Sequence, residues 1–245
     1  MEGSIHYPTI MIFEETLQYK HNISSKDELP SEWKTILGWI GKDKSVLEAG
    51  CHTGDFSRRL KEAGCRVTGL EINSRALDEA KPFLEKAICG DLESKETWQL
   101  LEGETFDVIL FEHVLEHLSD PWQILKKAVT LLAPGGNIII ALPNISNAEN
   151  RFRMLFGQFE YAEIGVMDKT HLRFFNQKTA RELITQAGLK VDAYDSPWRV
   201  NPVREFIDHL PVLNVLRNLF RKNISKSLLF SNNLTDVVML FKCSR

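Results

Sequence analysis

At 245 residues the chain is long enough to bury one large α/β core, and 43% hydrophobic with 26% charged residues excludes a chain too polar to fold. A formal charge of -3 gives no long-range pull toward nucleic acid or an anionic membrane. No apolar run is long enough to span a bilayer, and residues 1–17 carry Glu2, Glu14 and Glu15 instead of the basic lead-in of a secretory leader, so a cytoplasmic location is expected.

Pro30 and Ser31 open a segment in which Trp33, Ile36, Leu37 and Ile40 recur at helical spacing before Gly41. This predicts a helix covering the sheet, within an N-terminal cap region 14–43. Five short apolar runs then alternate with helical patterns: Val46 to Ala49, Val67 to Glu71, Ala87 to Asp91, Phe106 to Phe111 and Asn137 to Leu142. That rhythm predicts an α/β fold with a parallel, doubly wound sheet, its ligand-binding core at 44–143. The helices between are bounded by Asp55 and Gly64, by Asn73, and by Asp120-Pro121, residues suited to caps and a first turn.

After the fifth run the period is lost. Residues 144–175 are rich in aromatics and charges and read as a substrate-covering insertion. Asn176 then caps a helix with Ala180, Leu183, Ile184 and Ala187 on one face, and Lys190 to Tyr194 and Thr235 to Phe241 read as the last strands of a C-terminal part, 176–245. Between those strands, 198–230 has an amphipathic stripe and, from Arg199 to Lys226, six basic residues against two acidic ones. It reads as a lid or an oligomer-contact helix, as in a homodimer, with peripheral membrane contact as the alternative. One domain is expected over 1–245. Cys51, Cys65, Cys89 and Cys243 form no C-x-x-C pair and fit reduced thiols.

The first strand runs into Gly50-Cys51-His52-Thr53-Gly54-Asp55. A strand turning sharply into a helix presents backbone N–H groups to a polar or anionic ligand, and glycine lets that ligand approach the backbone. Glu71 ends the second strand 21 residues after Gly50, the separation at which an acid accepts hydrogen bonds from a ribose diol, and Asp91 ends the third. Three consecutive strands thus finish in a polar group at the sheet edge where open α/β sheets bind ligands.

Val46-Leu47-Glu48-Ala49-Gly50-Cys51-His52-Thr53-Gly54 resembles the first motif, E/D-x-G-x-G-x-G, of class I S-adenosylmethionine-dependent methyltransferases. Gly90-Asp91-Leu92-Glu93, the run Phe106-Asp107-Val108-Ile109 leading to His113-Val114-Leu115-Glu116-His117-Leu118, and Leu132-Ala133-Pro134-Gly135-Gly136 extend the resemblance from about Ser45 to Leu142. The resemblance implies a seven-stranded, mostly parallel Rossmann-like sheet with an antiparallel last strand and helical lid insertions. It implies S-adenosyl-L-methionine as cofactor, with Glu48, Gly50, Cys51, His52, Thr53 and Gly54 cradling the methionine part. Glu71 and Ile72 would lie at the ribose, Asp91 and Leu92 at the adenine, and Glu112 and His113 at the far wall. His52 stands where the family has its middle glycine; histidine enters positive φ more readily than most residues.

A sulfonium methyl is already activated, so the protein must align an acceptor in line and, for a hydroxyl, remove its proton. Asp168-Lys169-Thr170-His171-Leu172-Arg173-Phe174-Phe175 resembles a segment of bacterial methyltransferases of polysaccharide and natural-product pathways (methyltransferase types 11 and 23). His113, Glu116 and His117 form an H-x-x-E-H arrangement, which on a helix puts both histidines on one face. Similar segments in plant small-RNA 2′-O-methyltransferases and ubiquinone-type O-methyltransferases hold a divalent cation. That resemblance implies His113, Glu116, His117 and His171 as candidate ligands. Three imidazoles and one carboxylate suit a transition metal better than magnesium. A metal-free general base, His117 or His171, is the preferred reading, and a purely structural role is the third.

The expected function is therefore O-methylation of a small-molecule or glycan acceptor, with Arg151, Arg153, Lys169 and Arg173 available to an anionic one. A nucleic-acid methyltransferase rests only on the basic stretch and is disfavoured. A non-catalytic cofactor-binding protein rests only on His52. A dinucleotide-dependent oxidoreductase is set aside because G-x-G-x-x-G is absent.

Overall fold

The computed structural model describes residues 29–197 and 236–245. Seven strands form one sheet: β1 Ser45–Ala49, β2 Arg66–Glu71, β3 Lys86–Cys89, β4 Phe106–Glu112, β5 Leu132–Pro143, β6 Lys190–Asp195 and β7 Val238–Ser244. Their order is β3-β2-β1-β4-β5-β7-β6, and β7 runs antiparallel to both β5 and β6. The order reverses direction between β1 and β4, which pair in parallel from Val46–Val108 to Ala49–Phe111. Such a switch point opens a crevice at the C-terminal strand ends.

Strands covered on both faces read as continuous apolar runs, and alternate residues enter different layers. Leu47, Ile109, Phe111, Ile138, Ile140 and Phe241 pack with Ile124, Leu125 and Ala128 of α5 (Pro121–Thr130) and with Ala180, Leu183 and Ile184 of α7 (Gln177–Gln186). Val46, Val67, Val108, Leu110, Ile139 and Leu240 pack with Trp33, Ile36 and Ile40 of α1 (Ser31–Ile40) and with Phe56 and Leu60 of α2 (Asp55–Glu62). These helices are held on the two faces by burial of their apolar stripes.

The caps act largely as the sequence indicates. Asn73 accepts from Arg75 and Ala76 at the start of α3 (Ser74–Ala80), Asp120 caps α5 ahead of Pro121, and Asn176 forms a reciprocal capping box with Thr179. α2 is the exception, because its cap position is Gly54, in the left-handed region, and Asp55 is already helical.

Four differences from the sequence reading have local causes. β3 ends at Cys89, two residues before Asp91, because its ladder with β2 ends at Glu71–Cys89. β7 lies later than expected, its position fixed by pairing Val238–Cys243 with Pro143–Ile138. β5 starts five residues earlier than Asn137, beyond a register shift opposite Phe106 and Val108. Two short helices, α4 (Lys95–Gln99) and α6 (Ala148–Leu155), have no counterpart in the sequence reading; both are capped by a polar side chain, Ser94 and Asn147.

The stretch 198–230 and most of the cap region before α1 lie outside the described residues. Cys51, Cys65 and Cys243 are buried and Cys89 is exposed, none of them in a disulfide. Among the described residues no helix is long and apolar enough to cross a membrane.

Candidate active site

The loop after β1 turns through three left-handed residues, Gly50 at φ 73°, His52 at φ 46° and Gly54 at φ 80°. His52 thus adopts the conformation that a glycine would supply at its position. A β-carbon at Gly50 would meet Val114 Cγ2 at 2.6 Å and one at Gly54 would meet the Ala80 backbone at 2.8 Å. Packing within the chain, and not only ligand approach, therefore requires both glycines. The Gly50 and Cys51 N–H groups donate to Leu70 O, which fastens the loop to β2.

Glu71 ends β2 and is buried, its carboxylate accepting from His52 N at 3.0 Å and from Asn73 N at 2.9 Å. The same side chain thereby holds the glycine-rich loop and the start of α3 in fixed relation. Asp91 accepts from Glu93 N at 2.8 Å, and the neighbouring Leu92 is buried with its carbonyl taking the Trp98 indole N–H at 2.7 Å. Glu48, on β1, is buried and accepts from Ser57 Oγ at 2.5 Å. Burial pushes its carboxyl up to about 8, against the lowering effect of Ser57. Burial likewise raises the Cys51 thiol, so Cys51 stays protonated and serves as a packing residue. The ends of β1, β2 and β4 with the loop after β3 thus gather Glu48, Gly50 to Gly54, Glu71, Asp91, Leu92 and Glu112 along one edge.

Glu112 ends β4 and accepts the Trp33 indole N–H at 2.6 Å, while Trp33 stacks edge-on against Phe56 at 5.2 Å. Burial, with Glu32 nearby, raises the Glu112 carboxyl to about 7. His113 follows at φ 52°, its N–H bonded to Ala141 O. Only residues 115–117 then form a single 3-10 turn, so His113 and His117 do not share a helix face as the sequence spacing suggested. His113 points its Nε2 at Glu32 Oε1, 2.9 Å away, and its Nδ1 at Glu116 Oε1, 3.3 Å away. Burial works against charging the imidazole, yet Glu32 and Glu116 outweigh it and raise its pKa well above the usual imidazole range.

Glu116 is fully buried; its Oε1 is ion-paired with His113, and its Oε2 has no hydrogen-bond partner. Desolvation opposes its charge, but His113 and His117 hold its pKa below the ordinary value. Its backbone carbonyl accepts from both Leu172 N and Arg173 N at 2.9 Å, which carries the insertion across to the turn. His171 therefore arrives beside His117, with ring centroids 4.8 Å apart. Asp168 explains the start of the D-x-T-H segment, since its Oδ1 accepts from Thr170 N at 2.8 Å and Thr170 Oγ1 at 2.7 Å. Thr170 in turn presents its carbonyl to His117 Nδ1 at 3.2 Å, and Val166 O takes His171 Nδ1 at 3.2 Å. A carbonyl only accepts, so each Nδ1 carries a proton, and in the neutral form of either ring the lone pair is on Nε2.

One ligand atom each from Glu116, His117 and His171 falls within 4.8 Å of the others. A buried carboxylate with one oxygen free of hydrogen bonds, beside two imidazoles whose other nitrogens face carbonyls, is a set that could hold a divalent cation. His113 is excluded from that ligand set because both of its nitrogens already face carboxylates. Beyond His171, Phe174, Phe159 and Tyr161 continue outward at centroid separations of 6.2, 6.2 and 5.7 Å.

The sequence reading missed Glu32 and Ser57, and it quoted Glu93 in a motif without assigning it a role. Glu93 binds Ser119 and Asp120 ahead of α5, and Glu32 meets a partner 81 residues away, contacts that no local pattern announces. Ser57 left a trace, being a polar residue next to Phe56 on the buried face of α2.

Residues 19–194 match the family model described as a methyltransferase domain. A ubiquinone biosynthesis O-methyltransferase of Coxiella burnetii is 30% identical over 138 residues, covering 50% of this chain and 57% of that protein. One from Aromatoleum aromaticum is 25% identical over 63% of this chain and 69% of its own length. The chain thus matches little more than half the length of the Coxiella relative. Among solved structures, a SAM-dependent methyltransferase from Archaeoglobus fulgidus superposes with a TM-score of 0.64 at 17% identity, covering 88% of this chain and 92% of that one. The Synechocystis magnesium protoporphyrin IX methyltransferase with bound SAH gives 0.53 at 13% identity, over 88% and 80%. Seven strands in this order, a glycine-rich turn after β1 and an acid ending β2 agree with those matches: the chain belongs to the S-adenosyl-L-methionine-dependent methyltransferases of the class I, Rossmann-like fold, with S-adenosyl-L-methionine as its cofactor.

Proposed function

We propose that this chain is an O-methyltransferase that presents a hydroxyl of a small-molecule or glycan acceptor at a divalent-cation site formed by Glu116, His117 and His171. The observation that carries this reading is the buried Glu116 carboxylate, whose Oε2 accepts no hydrogen bond while ligand atoms of Glu116, His117 and His171 lie within 4.8 Å of one another. His113 meets Oε1 alone, and burying the second oxygen without a partner is costly. The named activity of the Coxiella and Aromatoleum relatives supports oxygen as the atom methylated.

In this reading Gly50 to Gly54, Glu71, Asp91 and Leu92 bind the cofactor along the strand ends, Glu48 and Glu112 line the wall, and the sulfonium methyl faces the Glu116 turn. A bound divalent cation would lower the acceptor hydroxyl's pKa and fix its direction. The acceptor oxygen attacks the methyl carbon in line as the carbon–sulfur bond breaks, giving S-adenosyl-L-homocysteine, and the hydroxyl proton leaves to a base or water. Phe174 and Phe159 shield the acceptor from solvent, and aligning the two reactants supplies much of the rate. Two imidazoles and one carboxylate favour manganese, iron, cobalt or zinc over magnesium.

A second reading follows from His171, whose burial holds its pKa below the usual imidazole range and keeps Nε2 able to accept a proton near neutral pH. Methyl transfer to a panel of catechols, phenols and sugars, assayed with and without chelator, separates the two. Loss of transfer in chelator, with recovery on adding Mn2+ and none for Glu116→Gln, is expected. Transfer that ignores chelator but falls at least ~100-fold in His171→Ala would establish the metal-free base instead. No methylated oxygen in any acceptor would overturn the O-methyltransferase reading.

A further inference from the structure

We infer that Glu32, on α1 and outside every motif of the cofactor core, is a positioning residue for the cation site, acting through His113 on Glu116. This rests on the cation reading above.

Three observations converge. Glu32 Oε1 lies 2.9 Å from His113 Nε2, and His113 Nδ1 lies 3.3 Å from Glu116 Oε1, so carboxylate, imidazole and carboxylate form a continuous file. The imidazole is fixed at both ends: its backbone is held left-handed at the end of β4, and neither ring nitrogen is left to turn toward a cation. Glu32 itself stands on a rigid base, because Trp33, the next residue, is buried against Phe56 and bonded to Glu112, and Ile36 and Ile40 are buried beneath it.

The file selects one orientation of Glu116. His113 stands at Oε1, which leaves Oε2, without a hydrogen-bond partner, as the oxygen for His117 and His171 to share a cation with. Without Glu32 the imidazole is tethered at one nitrogen only and is free to rotate away from Glu116 or toward the cation. Partners of this kind, one step behind the ligands, typically carry ~10- to 100-fold in metal affinity.

The test uses the full chain with Co2+ as probe, read by calorimetry and by the visible d–d absorption of the bound ion. Glu116→Gln and His171→Ala serve as site controls and should abolish the spectrum. Glu32→Ala is expected to weaken Co2+ binding ~10-fold or more and to shift the d–d bands, with S-adenosylmethionine affinity within about twofold of the parent. Glu32→Gln, which keeps shape and an acceptor oxygen, should recover part of the affinity and the parent band shape; it also carries the test if the alanine variant fails to fold. Parent-like affinity and spectrum in both variants would overturn the inference and leave the cation reading standing. A parent protein that gives no Co2+ signal would overturn both together.

Discussion

Glu48 sits in a low-dielectric slot at the end of β1, and its proton uptake ties folding to pH. Its carboxyl titrates near 8 in the folded chain against an ordinary value of 4.5 for a solvated glutamate, so between those values the folded protein binds the extra proton. Stability therefore falls as pH rises from about 4.5 to about 8, since it declines wherever the folded state holds more protons than the unfolded one. Glu112, raised to about 7, adds a slope of the same sign. Thermal melts of the cofactor-free protein from about pH 5 to about pH 8.5 should show this decline, and Glu48→Gln should flatten it while Glu112 sustains the remainder. Equal slopes for parent and Glu48→Gln would remove Glu48 as the cause.

Two elements depend on single residues at their ends. Gly54 combines a left-handed backbone with the Ala80 backbone at 2.8 Å from where a β-carbon would lie, so Gly54→Ala must strain the turn and push α3 away. A loss of about 2 kcal/mol or more is expected in urea unfolding, together with weaker cofactor binding. A variant as stable as the parent would show that the loop and α3 are loosely packed. At α7, Asn176 and Thr179 cap the first turn reciprocally. Asn176→Ala should lower the unfolding free energy by about 1 kcal/mol with an unchanged denaturant slope, as for loss of an N-cap elsewhere. Because α7 lies across the sheet from α1 and α2, methyl transfer in that variant should stay near parental at temperatures well below its melting point.

At the scale of the molecule, the cofactor site proposed above is shared among strand ends that meet only when the sheet has formed. Ligand binding to such a site reports on the folded state as a whole. S-adenosylmethionine at about 100 times its dissociation constant should add about 2.7 kcal/mol to unfolding. Glu71→Ala removes a carboxylate that fixes both His52 and Asn73, and at the same ligand concentration should reduce that increment by half or more. If Glu71→Ala is stabilised as much as the parent, Glu71 contributes nothing to the cofactor site. The acceptor side is organised differently: among the described residues, seven exposed large apolar side chains, including Leu155, Phe156, Phe159, Tyr161 and Ile164, fall between positions 154 and 172. Phe159 and Tyr161 of that group continue the ring contacts outward from His171 and Phe174, whereas the edge proposed for the cofactor includes the buried Glu48, Thr53 and Glu71.

Much of this was legible in the sequence by itself. The strand-helix alternation, the caps at Asn73, Asp120 and Asn176, the glycine-rich turn with a histidine at positive φ, and Glu71 at a strand end all follow from local rules of period and backbone geometry. Each depends on residues within one turn or one strand of each other. The proposed cation site does not. Glu116 and His117 lie more than 50 positions from His171, and they are brought together by bonds across that gap, from Leu172 and Arg173 to Glu116 O and from His117 to Thr170 O. The H-x-x-E-H spacing suggested one helical face, but the left-handed backbone at His113 turned that histidine toward Glu32 instead. Whether a polar residue is a ligand or its support is decided by which of its atoms are already occupied, and that is a property of three-dimensional packing, not of spacing along the chain.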